Sequence, residues 1–391
     1  MILSPLPCSA LQSLLFLFVG SLSVTMFQLA DAHAETVDVW FGTSTPRNGL
    51  SKGIYHAKFD TEKGELSQAT LAAEADGPGF LALHPNGNVL YSVGNHEGKP
   101  SVSAYTIHRD GAQTSLTWHS SAEIGDGGAA HVSVDRTGKV LFTAQYGGGS
   151  TAAFRLDDDG GIVERTGLYK HVGGSDVVPN RQTSPHAHWT GTSPDNRFLF
   201  VPDLGMDQVV IWKVDTETAT LTPHGFGQSV PGGGPRHMKF HPNGKIVYLL
   251  NELSLSVTVF DYDAKAGTMS PKQTIETLSE AVKAGERFNS SSEIRVHPNG
   301  KFVYAANRGN DSITAYRVKE ADGTLELIEV EPIRGAWPRN FALDPTGKWL
   351  LAAGQNTNSV TIFEIDQQSG QLQFTMKAAM VPTPICVLFA E

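Results

Sequence analysis

The sequence predicts an all-β chain wound as a seven-bladed β-propeller, with four antiparallel strands in each blade. Three observations carry this expectation. A tight turn of the HPNG type recurs six times, a hairpin signal, glycine-containing in five copies, recurs seven times, and the C-terminus holds an apolar strand with no outer strands of its own.

The turns begin at His84, Asp135, Ser193, His241, His297 and Asp344, separated by 51, 58, 48, 56 and 47 residues. A period of about 52 is too long for a helical repeat and suits four short strands. Each turn sits between two apolar strands, such as 245–250 and 301–306 on its far side. An alternating third strand follows (256–262, 312–318, 359–365), and a hairpin leads into a fourth. Those hairpins read Lys63-Gly64-Glu65-Leu66, Thr114-Ser115-Leu116, Asp159-Gly160-Gly161, Ala219-Thr220-Leu221, Ala266-Gly267-Thr268, Asp322-Gly323-Thr324-Leu325 and Ser369-Gly370-Gln371-Leu372. Seven hairpins against six turns leave one blade split across the termini. Strands 37–41, 54–59 and 66–73 supply its outer three, and 384–389 supplies the innermost. Closure of this kind removes the free edge between first and last blades.

Residues 1–34 read differently. The stretch 11–29 is almost continuously apolar, and Ala32-His33-Ala34 before Glu35 has the form of a signal-peptidase site. The expectation is a signal peptide over 1–34 and one mature domain over 35–391, periplasmic or secreted, with no membrane segment remaining. A retained anchor is the alternative, because no Lys or Arg precedes the apolar run. A formal charge of −10 argues against nucleic acid or an anionic membrane as partner. Of the two cysteines, Cys8 leaves with the signal peptide. Cys386 lies in the apolar run 385–389 and reads as a buried strand residue, so no internal disulfide forms.

Function is read from where the blades differ. Five residues before each turn stand Gly79, Ala130, His188, Arg236, Ser292 and Arg339, each followed by Phe80, His131, Trp189, His237, Glu293 and Asn340. After the second strand stand Asn95, Tyr146, Leu204, Glu252, Arg308 and Gln355. In a propeller both sets ring the same channel mouth. They gather His186, His188, Arg236, His237, Glu252, Glu293, Arg308 and Arg339, with Tyr146, around one funnel. Histidines of the repeated His-Pro turns (His84, His241, His297) are read as structural. Several cations at one mouth are costly to desolvate without a partner, which implies a small anion. His186 and His188 alternate, placing both on one face of a strand, but no third ligand stands at a matching spacing, so neither metal nor cofactor is expected. Gly-x-Ser-x-Gly is absent, and Gly147-Gly148-Gly149-Ser150 reads as a loop between strands.

These residues resemble a known family, the seven-bladed propeller lactonases, which include the propeller-type bacterial 6-phosphogluconolactonase and the fungal carboxy-muconate lactonizing enzyme. The resemblance spans 35–391 and rests on Ser184-Pro185-His186-Ala187-His188, Gly234-Pro235-Arg236-His237, Asn251-Glu252-Leu253, Ser292-Glu293-Ile294-Arg295, Asn307-Arg308-Gly309 and Trp337-Pro338-Arg339-Asn340-Phe341. It implies a catalytic set of His188 (or the adjacent His186), Arg236, Glu252 and Arg308. His186, His237, Glu293, Arg339 and Tyr146 are expected as substrate contacts. Lactone hydrolysis needs a base, positive charge where an oxyanion forms, and a proton for the leaving alkoxide. Glu252 or His188 is the expected base, Arg236 and Arg308 the positive charge, and His237 the group returning the proton. Export favours an unphosphorylated, polyhydroxy or acidic lactone over a sugar phosphate. A muconate-type cycloisomerase and a non-catalytic binding propeller are the alternatives.

Overall fold

A computed structural model describes residues 36–45, 49–110 and 113–390. The expected signal peptide lies outside the described residues. Among the described residues, no helix is long and apolar enough to cross a membrane. The repeat becomes seven antiparallel sheets. One blade, for example, runs outward from the hub as Pro235–Phe240, Ile246–Asn251, Ser256–Asp263 and Thr268–Glu276.

Second strands such as Ile246–Asn251 and Phe198–Asp203 are buried at every residue. Each is covered on both faces by neighbouring blades, which explains sequences that are continuously apolar rather than alternating. Apolar clusters therefore straddle blade pairs. Trp189, Phe200, Met238, Val247 and Phe260, for example, join two adjacent sheets.

Closure is as expected. Pro384–Phe389 pairs antiparallel with Thr36–Thr43, with Val39 opposite Phe389 and Phe41 opposite Val387. Cys386 is buried there, and burial pushes its thiol up to about 12, so it is no nucleophile.

The turn histidines tie one blade to the next. In His84, His241 and His297, Nδ1 accepts the backbone N–H two residues on, at 3.1 Å in each case. That fixes the proton on Nε2, which donates to the carbonyl of Gly138, Gly300 or Gly347 in the following blade's turn. Gly300 has φ +73°, and a Cβ there would lie 2.7 Å from His241 Nε2, so the glycine serves both the turn and the tie. A second set of ties runs from Tyr91, Tyr248 and Tyr304, whose hydroxyls donate to the hairpin carbonyls of Gly160, Gly323 and Gly370 in the next blade.

Three details differ from expectation. Asp110 pairs with Gln113, so Thr114-Ser115-Leu116 belongs to the outer strand. The outer edge of the closing blade is split into Glu65–Leu66 and Thr70–Glu74. The innermost strand before Phe198–Asp203 shrinks to Gly191–Thr192 plus an isolated Ala187–Asp203 bridge. There the Asp203 carboxylate accepts from the backbone N–H groups of His186, Gly205 and Met206, while His188 N–H donates to the Pro202 carbonyl and Leu204 N–H to that of His186. His186 and His188 flank the single bridged residue, Ala187, and both rings reach Tyr146.

Candidate active site

The functional side chains are aimed by a defect that nearly every blade repeats. Along the innermost strands the pairing register slips at the approach position. Pro235 pairs with Asn251 and His237 with Leu250, leaving Arg236 as the extra residue of a β-bulge. Pro338 pairs with Gly354 and Asn340 with Ala353, leaving Arg339. Slips also leave Ala130, Ile385, and Ser292 with Glu293 outside the ladder. A bulged residue is free of pairing and its side chain is re-aimed. Here the bulges turn toward the channel, and a cavity of about 80 Å³ is lined by Gly79, Phe80, Ala129, Ala130, His188, Arg236, His237, Arg339 and Ile385.

Glu252, at the end of Ile246–Asn251, organises the charges behind that wall. Its Oε2 accepts from Arg236 Nε at 2.9 Å and pairs with Arg308 Nη2 at 3.1 Å. Its Oε1 accepts from Arg181 Nη2 at 2.8 Å. Burial alone would raise the carboxyl, but the guanidinium groups, Arg308 foremost, hold it at about 2. Arg236 also donates to the carbonyl of Ser292, and Arg308 to that of Ser291 at 2.8 Å. Burial, then Arg308, brings Arg236 down to about 9, so it stays charged at neutral pH. Arg339 is pulled down by burial and then by Arg308. Of the four arginines here, Arg339 alone makes no hydrogen bond or direct ion pair among the described residues, and Glu252 acts on it only through space.

His237 Nδ1 faces Glu293 Oε1 at 3.1 Å and therefore carries the proton, while Nε2 accepts from Arg236 Nη1 at 3.2 Å. Burial brings this ring down to about 3 against the pull of Glu293, so it is neutral with both nitrogens engaged. His188 is also held neutral, well below its ordinary value, by burial and then by Arg236. Its Nδ1 is buried with no hydrogen-bond partner among the described residues. Tyr146 stacks on His186 at 4.6 Å and meets His188 edge-on at 5.5 Å, while His186 Nδ1 donates to the Tyr146 carbonyl.

Of the nine residues picked out by sequence, His188, Arg236, His237 and Arg339 line the cavity. Glu252 and Arg308 form the ionic cluster behind Arg236, and Tyr146 and His186 flank His188. Glu293 is the correction. Its side chain is wholly buried behind His237, held by Asn340 Nδ2 at 2.5 Å and by the N–H of Ile294, so it supports His237 and does not touch the cavity. Sequence reasoning missed Arg181. It lies between Ile162–Lys170 and His186, in the segment that makes the 58-residue spacing the longest of the five. That excess length was the available signal. The 56-residue spacing likewise marks the insertion carrying the short helix Glu280–Gly285 and Phe288, whose ring stacks at 5.4 Å on Trp337 beside Arg308.

Three neutral buried histidines give the fold an acid limit. His131, His188 and His237 are all lowered in the folded state, first by burial. Unfolded, each takes a proton near pH 6.5, so below that the unfolded chain binds more protons and stability falls with pH. The loss is up to about 1.4 kcal/mol per pH unit for each histidine, with none above pH 6.5. Below about pH 4.5 the lowered Glu252 and Glu293 add to it. Thermal melts are expected to hold steady from pH 8 to 7 and drop steadily from 6.5 to 5. A Tm unchanged down to pH 5 would contradict this assignment of protonation states.

A family model described as "Lactonase, 7-bladed beta-propeller" matches residues 38–389. The 6-phosphogluconolactonase of Bacillus subtilis is 34% identical over 351 residues, covering 90% of this chain and 97% of that one. Among solved structures, a periplasmic gluconolactonase from Pseudomonas aeruginosa is 28% identical with a TM-score of 0.83, covering 91% of this chain and 99% of the other. A putative 6-phosphogluconolactonase from Bacteroides fragilis is 30% identical with a TM-score of 0.82, over 91% and 98%. The bulge-lined mouth with its arginine–glutamate cluster thus sits in a fold matched almost end to end, and the chain belongs to the seven-bladed β-propeller lactonase family.

Proposed function

We propose that the protein is an exported lactonase that opens an unphosphorylated sugar lactone, with His188 as base and Arg236 and Arg339 as the groups that receive negative charge. One observation carries the reading: a neutral histidine and an arginine without an acceptor line the same small, buried cavity. The apolar segment ahead of Glu35 supports export, as does the likeness to a periplasmic gluconolactonase. Relatives named 6-phosphogluconolactonase support the reaction class.

The cavity, about 80 Å³, brings the reacting edge of a lactone against His188 and the two arginines. His188, neutral at working pH, takes a proton from water as the oxygen attacks the lactone carbonyl carbon. The carbonyl oxygen becomes an oxyanion facing Arg236 and Arg339. Collapse breaks the bond to the ring oxygen, which leaves as an alkoxide and takes the proton from the His188 imidazolium. Water is consumed and a hydroxy acid is released. Glu252 is a poor base, since both its oxygens are held by guanidinium groups and its carboxyl titrates at about 2. Its part is to position Arg236 and Arg308. His237, with both ring nitrogens occupied, keeps Arg236 and Glu293 in register.

Arg339→Ala removes the arginine of this site that, among the described residues, is held by no acceptor and is free to turn to the substrate. The expected result is a fall in kcat/KM of about 10²–10³, the range for loss of one oxyanion donor. The assay is acid release from glucono-1,5-lactone and its 6-phosphate by a pH indicator. The proposal expects the unphosphorylated lactone to be the better substrate by kcat/KM. A strong preference for the 6-phosphate would overturn the substrate assignment while leaving the reaction class intact.

A further inference from the structure

The channel has a second cavity at the opposite mouth, on the side of the His-Pro turns. It measures about 370 Å³ and is lined at one side by His84, Pro85 and Gly87 and at another by 386–390. Its walls are mixed, slightly more apolar than polar, with Leu81, Leu83, Val132, Val134, Val387 and Phe389 supplying apolar surface. The charged groups on those walls are Lys239, Arg295 and Arg109, with no carboxylate among the described lining residues, in a chain whose formal charge is −10.

Two of these cations differ in kind from the third. Arg109 is spent at the rim, on Asp38 at 3.0 Å and the Gly87 carbonyl at 3.1 Å. Arg295 leans on the Phe341 carbonyl at 3.3 Å and reaches Glu293 only at 3.4 Å. Among the described residues Lys239 has no hydrogen-bond acceptor and no direct ion pair, and the buried Glu293 carboxylate acts on it only through space. Its ammonium lies 5.0 Å from the centre of the Trp189 ring, and burial, then Arg295, brings it down to about 8. A partly buried ammonium with three donors and nothing to receive them costs free energy that a bound anion would restore. Beside it, His131 Nδ1 accepts from the Thr190 N–H at 3.3 Å, which puts the His131 proton on Nε2 as a further donor.

This is a mixed chemistry of apolar walls with a few convergent donors, in the size range of small-ligand sites. A bare inorganic anion would leave the apolar walls unused, and a neutral apolar molecule would leave Lys239 unpaired. We propose that the opposite mouth is a separate binding site for a small carboxylate with an apolar body, its carboxylate held by Lys239 and Arg295. The site is distinct from the lactone cavity: the Phe80, His131 and His237 rings stand between the two, with centroids 4.2 Å, 5.6 Å and 5.8 Å apart.

Benzoate is the probe, titrated calorimetrically into the purified mature chain at pH 7. The expectation is saturable binding that Lys239→Met weakens at least tenfold, that Lys239→Arg largely keeps, and that fades above pH 8 as the ammonium deprotonates. Arg339→Ala, at the other mouth, is expected to leave benzoate affinity unchanged. Inorganic phosphate at equal concentration is expected not to compete. No binding to the wild-type chain would overturn the proposal. So would binding abolished by Arg339→Ala and untouched by Lys239→Met, which would place the probe in the lactone cavity. Circular dichroism of each variant checks the fold, and the Lys239→Arg arm keeps the test decisive if Lys239→Met folds poorly.

Discussion

His188→Asn is expected to lower kcat/KM for a sugar lactone by about 10²–10⁴, the usual contribution of a positioned general base. The substitution removes the ring without stranding a partner, because Nδ1 of His188 has none to lose. What is lost structurally is edge contact with Tyr146 and His237, both at ring distances beyond 5 Å. The fold should therefore persist, and the rate loss should appear in kcat. His186→Asn is the matched control. It breaks the stack on Tyr146 and the bond to the Tyr146 carbonyl but vacates nothing in the cavity wall, so a loss of no more than about tenfold is expected, well short of a lost general base. If the His186 variant were the inactive one, the base would be misassigned. The wild-type pH profile offers a second check. A histidine held below its ordinary value keeps its basic form at pH 6.5, so the acid limb of kcat/KM should lie below that point.

Glu252→Ala is expected to have the largest effect on stability. It leaves Arg236 and Arg308 buried side by side without their shared carboxylate, and it releases Arg181. Breaking a buried ion pair by removing one partner costs about 3–5 kcal/mol. Set against a total of about 5–15 kcal/mol for a folded domain, this should shift the urea midpoint markedly without abolishing folding at low temperature. Glu252→Gln keeps the acceptor oxygen but not the charge, and should fall between. Both variants should lose lactone turnover through misplacement of Arg236, which the kinetics would report as a lower kcat. A Glu252→Ala protein as stable as wild type would show that the cluster does not hold the mouth together.

The propeller was legible because its signals are redundant. The turn histidines repeat since each must reach the next blade's turn carbonyl, and the second strands read as unbroken apolar runs since both faces are covered. The split blade followed from seven hairpins against six turns. The site was legible for a related reason. Arg236, Arg339 and Ala130 occupy β-bulges, where ladder pairing no longer constrains the residue, so the repeat pattern lapses there first. What the repeat could not reveal was depth. Glu293 departs from the pattern as clearly as Arg236 does, yet it points behind His237, because a two-residue slip at Ser292 and Glu293 turns it away from the cavity. Arg181 was invisible to a comparison between blades, since it stands on an insertion with no counterpart. His186 and His188 alternate in sequence and flank the bridged Ala187, but Asp203 takes the backbone N–H of His186, so the pairing there narrows to a single bridge.

The central claim is that this mouth of the channel turns over a lactone. The most direct measurement is the initial rate of acid release from glucono-1,5-lactone by purified residues 35–391, above the spontaneous rate, beside His188→Asn at the same concentration. The account predicts saturable turnover by the wild type and near-background rates from the variant. Equal rates from the two proteins, or no release above background by a folded wild type, would contradict it.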